Sequence, residues 1–81
     1  MYFKMWVDDK EWILEIMHSN MAADIAAGYN PSGDIIRRER EEIAAYKSAY
    51  HADLDKIAAM TEAAAERWCR IDMIKRGVIT A

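Results

Sequence analysis

Six positions seven residues apart run through the second half of this chain: Ile36, Ile43, Tyr50, Ile57, Ala64 and Ile71. No glycine or proline interrupts residues 34–76. A seven-residue apolar repeat draws one stripe on a helix and favours supercoiled packing, because a straight helix drifts by about 20° per heptad. Residues 34–76 are therefore predicted as one long helix. Gly77 stops it, and Lys75 and Arg76 just before the stop suit the negative end of the helix dipole.

The second seam is mixed. Glu39, Tyr46, Asp53, Met60, Arg67 and Ile74 alternate polar and apolar, so this is no leucine zipper. Globular helices average about 11–12 residues, which argues for a break. The alternative reading places one near residues 51–54, inside SAYHADLDK, with Asp53 as a new cap. That would give a monomeric three-helix bundle. The heptad phase passes through this stretch without a slip, whereas a loop would normally reset it, and this favours the continuous helix.

Ahead of it, Ile13, Leu14, Ile16, Met17, Met21 and Ile25 recur at helical spacing. Asp8 with Glu11 reads as a capping box. A first helix is expected over about 9–27, closed by Gly28 and joined to the long helix through a linker at 28–33. Asn30 or Ser32 would cap the second helix. Residues 1–7, MYFKMWV, read as an extended arm, and 77–81 as a tail. The fold class expected is all-α: a helical hairpin in one domain, the short helix antiparallel to the long one. Charged pairs four apart, among them Arg37–Glu41 and Asp72–Arg76, support a solvated outer face.

Helices of about 19 and 43 residues measure roughly 28 Å and 65 Å. The short one would leave the stripe of Ile57, Met60, Ala64, Trp68, Ile71 and Ile74 uncovered. Such a stripe marks an interface, and the simplest cover is a second copy, so a homodimeric bundle is expected. Tyr2, Phe3 and Trp6 are assigned to a partner or the dimer mate, because aromatics anchor interfaces. Trp12 and Trp68 suit the end of the helical core at least as well as an interface.

The net charge is −3; residues 1–33 hold two lysines and five acids, and the remainder is neutral. Neither part carries the basic excess that drives binding to nucleic acid. A nucleic-acid role would have to use Arg37, Arg38, Arg40 and Lys47, among which acids are intercalated. A metal-stabilised bundle would need His18, His51 and Cys69, which lack the ligand spacing of zinc sites. On a continuous helix His51 and Cys69 would stand about 27 Å apart. No nucleophile, base and orienter fall into register, and no cofactor motif is present. No apolar run approaches the ~20 residues that span a bilayer. One cysteine cannot pair within the chain and fits a reducing, cytoplasmic setting. The reading is a non-enzymatic interaction module that occupies a surface of a larger protein. Small accessory proteins of phages, anti-CRISPR inhibitors among them, share this size and lack of catalytic motifs.

Overall fold

The computed structural model describes residues 1–81 and contains three α-helices: α1 (Tyr2–Ala26), α2 (Asp34–Ala58) and α3 (Glu62–Lys75). The expected all-α architecture is observed, with α1 packed along both other helices. Trp6 meets Tyr50, and Asp24 meets Glu39, so α1 and α2 are antiparallel. Tyr2 meets Glu66 and Asp9 meets Arg76, so α1 and α3 are parallel.

The continuous helix over 34–76 is not formed, and the break does not fall at 51–54. It falls at Ala59–Met60–Thr61. No glycine or proline marks the site. Ala59 and Met60 close α2 with tight bonds to the carbonyls of Lys56 and Ile57, at 3.2 and 3.0 Å. Thr61 then turns extended, and its Oγ1 accepts from the Ala64 amide at 3.2 Å, capping α3. The heptad count is a coincidence past this point. Ile36, Ile43, Tyr50 and Ile57 are the buried stripe of α2, but α3 buries Ala65, Cys69 and Met73, which recur every four residues and lie off that count.

The physical reason for the break lies at the other end of the chain. Residues 1–7 are no extended arm: α1 begins at Tyr2 rather than Asp9, and so equals α2 at 25 residues. Asp8 caps nothing. Instead Glu66, from α3, accepts from the amides of Tyr2 and Phe3 at 2.7 and 3.1 Å and from the Met1 ammonium at 3.0 Å. A helix start leaves orphan N–H groups and a partial positive charge, and a carboxylate satisfies both. A cap from a distant helix leaves no local trace in sequence. Because α2 ends level with the start of α1, a continued helix would run into water, whereas a turn lays α3 beside Trp6.

Glycines close α1 and α3 as expected. Gly28 and Gly77 take φ of 108° and 74°. At each, the following amide reaches back to the third-last helical carbonyl, Tyr29 to Asp24 and Val78 to Met73. At the start of α2 the cap is the Gly33 backbone; Asn30 instead accepts from the Ser32 amide, shaping the linker.

The core is thin. Trp6, Leu14, Ile43, Tyr50, Ile57, Ala65, Cys69 and Met73 form one buried cluster. Ile36 is buried apart from it, at the hairpin end of α2. Helix α3 covers only the Trp6 half of the hairpin and leaves the Asp24–Glu39 half as a two-helix stem. The molecule is accordingly long, 47 × 25 × 17 Å, with a radius of gyration of 15.5 Å. A compact domain of this size would have about 12 Å.

Candidate interaction surface

Trp6 is the centre from which the surface is built. It is fully buried, and its ring packs against Tyr50 at 5.5 Å and edge-on against Trp68 at 5.7 Å between centroids. Such pairs favour tilted geometry because the ring face is negative and the edge positive. Lys10, one turn on, is also buried, with Nζ 5.4 Å from the Trp6 ring and 5.2 Å from the Tyr46 ring. The two faces stand in for part of the hydration the ammonium loses.

Polar groups ring this cluster. The Trp6 indole donates to Asp72, and Arg76 bridges Asp72 and Asp9 at 2.9 Å each. Burial pushes the Asp72 carboxyl up, but donation from Trp6 and Arg76 outweighs it and holds the group below the usual aspartate range. The Tyr50 hydroxyl donates to Glu11 at 3.1 Å. Burial, then that bond to a carboxylate, push Tyr50 up to about 12. Burial likewise raises Tyr46, whose hydroxyl is shielded and unpartnered. The N-terminal ammonium, then the Phe3 and Tyr2 amides, hold Glu66 below the usual glutamate range.

No family model, curated protein or solved structure matches the chain. What the surface can do therefore rests on its own residues.

Trp6, expected at a partner, is core. Trp12, for which both the core end and an interface were open, is 60% exposed. Met5 and Ile16 are exposed as well, and spacings of seven and four put all three on one stripe of α1. This stripe lies about a third of a turn from Trp6, Lys10 and Leu14, which face the other helices. Helix α1 is thus apolar on an inner and an outer side, a pattern that normally means burial on both. Asp8, Glu11 and Glu15 run along one edge of the stripe, with Lys4 at its start.

The other expected contact residues are dispersed. Ile57 is buried in the core, and Met60, Ala64, Trp68 and Ile74 are half-buried. Ile71 is exposed, beside Trp68 and Lys75. Tyr2 is half-buried under Arg70, whose guanidinium carbon lies 5.7 Å from the ring. Phe3 is exposed at a shallow groove of ≈ 360 Å³ lined by Ile57, Met60 and Glu66.

The sequence signal for the α1 stripe was present: both faces of residues 2–26 are apolar. An extended arm over 1–7 would detach Met5 from Trp12, whereas the helix from Tyr2 joins them. Cys69 is fully buried, and burial, then Glu66 and Asp72, push its thiol up to about 11. His18 and His51 are exposed on different helices, and no three potential ligands converge. Arg37 is engaged by Asp34 and Glu41 along α2. No helix is long and apolar enough to cross a membrane.

Proposed function

We propose that the protein is a non-enzymatic interaction module that docks the outer face of α1 onto a larger protein. The observation that carries this reading is the exposed Met5–Trp12–Ile16 stripe on a helix whose other side already holds the fold together. Exposed tryptophan is costly in water and is a frequent anchor of interfaces. The acids along the edge of the stripe favour a partner whose apolar cleft is rimmed by lysine or arginine. The burial of Cys69, which strongly disposes its sulfur to stay a thiol, also supports a binding role.

The homodimer expected from sequence rested on a long rod with a bare stripe, and the rod is not there. A second copy remains one way to cover the α1 face, and mass distinguishes it. A photo-crosslinking residue placed at Trp12, in the full chain expressed in its host, should yield one discrete heavier adduct. Met5→Asp or Ile16→Asp should abolish it, and the same label at Glu41 on α2 should give none. An adduct of twice the chain mass would replace the larger partner with a second copy. No adduct at Trp12, or an equal one at Glu41, would overturn the docking face.

A further inference from the structure

The two-helix stem beyond the reach of α3 carries a second feature, unrelated to the α1 stripe. Met17, Asn20, Ala23 and Asp24 of α1 and Glu39, Glu42 and Ile43 of α2 line a cleft of ≈ 420 Å³. No lysine, arginine or histidine is among them. Oε2 of Glu39 is closed off from water and has no hydrogen-bond partner. Asp24 lines the same cleft from the other helix, and its carboxyl is the group that neighbours Glu39 across the helix pair.

Two ionised carboxylates are both acceptors, so neither can satisfy the other. A shielded oxygen without a donor is costly, and a like charge beside it adds to the cost. One proton removes both penalties, because the protonated acid donates to its ionised neighbour. We propose that Asp24 and Glu39 share one proton and form a clasp that closes the α1–α2 stem when protonated and loosens it when both groups are ionised.

The surroundings fit this assignment. The charged groups facing Glu39 are Asp24 from α1 and Glu42 from its own helix, and both favour its neutral form. A proton shared with Asp24, then burial, raise the Glu39 carboxyl above the usual glutamate range. A folded-state acid raised above its unfolded value binds more protons folded than unfolded. Stability from the clasp is therefore present below the unfolded value and is lost as pH rises through the raised one. The stem is where such a change can act, since no third helix braces it. Linker residues 27–33 and the exposed Tyr29 ride on its end.

Carbon-detected titration of the full chain tests this directly. Glu39 should titrate above the usual glutamate range, and Asp24→Asn should bring it back down. Amide exchange over residues 20–27 and 36–43, corrected for intrinsic rates, should slow between about pH 8 and about pH 5. Glu39→Gln keeps the shape and supplies a permanent donor, so it should give slow exchange at both pH values. A Glu39 midpoint in the usual range, or one unmoved by Asp24→Asn, would overturn the shared proton. Stem exchange in the native chain that ignores pH would overturn the clasp.

Discussion

The indole N–H of Trp6 donates to Oδ2 of Asp72 at 2.9 Å, and the same oxygen accepts from Nε of Arg76 at 2.9 Å. Arg76 continues to Asp9 at 2.9 Å. One carboxylate thus ties the start of α1 to the end of α3, across 66 residues of chain. At the other end of α3, Glu66 caps the first turn of α1. The two contacts pin the returning helix at both ends and fix its parallel register. Asp72→Ala leaves a buried indole N–H without an acceptor, which costs about 1–3 kcal/mol. Urea denaturation followed by circular dichroism should show the loss.

The same carboxylate sets an acid limit. Asp72 is held below the usual range in the folded state, so its contribution is present above the unfolded value and lost as pH falls through the folded one. Native Tm should therefore fall in strong acid, and Asp72→Asn should flatten that part of the profile. The direction is opposite to that at Glu39, whose clasp weakens towards neutral pH.

Trp6 and Trp12 should separate stability from binding. Trp6→Ala empties the centre of a small core and should cost about 3–5 kcal/mol, enough to unfold much of the population. Trp12→Ala removes an exposed ring and should change stability by no more than about 0.5 kcal/mol. Denaturation curves on the two variants check this, and only Trp12→Ala leaves a folded protein in which the docking face can be tested.

Thr61 carries the turn. Thr61→Ala removes the side chain that accepts from Ala64 and should lower stability by about 0.5–2 kcal/mol. Thr61→Ser should restore most of it. An alanine variant as stable as the native chain would mean that packing alone sets the break.

Cys69 should report opening of the α3 contact. Its sulfur is buried, and its thiol is pushed up to about 11, so thiolate is scarce at neutral pH. Alkylation should be slow in the folded protein and should accelerate with urea in step with unfolding. Fast labelling under native conditions would show α3 detaching on its own.

Where local chemistry dictated structure, it was legible. The apolar stripe of Ile36, Ile43, Tyr50 and Ile57 marked the buried side of α2, and Gly28 and Gly77 marked two helix stops. The α3 boundary was not legible in the same way. Ala59–Met60–Thr61 is helix-compatible, the heptad spacing continues past it to Ala64 and Ile71, and Asp53 offers a more obvious cap than Thr61. The start of α1 was equally concealed, because Glu66 caps it from 64 residues away.

The residues alone therefore determined that this chain is helical, where its linker lies and which side of α2 is apolar, because propensity, glycine stops and periodicity act over a few residues. Tertiary structure decided where α2 ends and α3 begins, which tryptophan is core and which is surface, and which acids lose their water. Those outcomes depend on whether Trp6 can be covered. Burying that ring against Trp68 and Asp72, in one cluster with Cys69 and Met73, favours the fold-back over a rod whose end would lie bare in solvent.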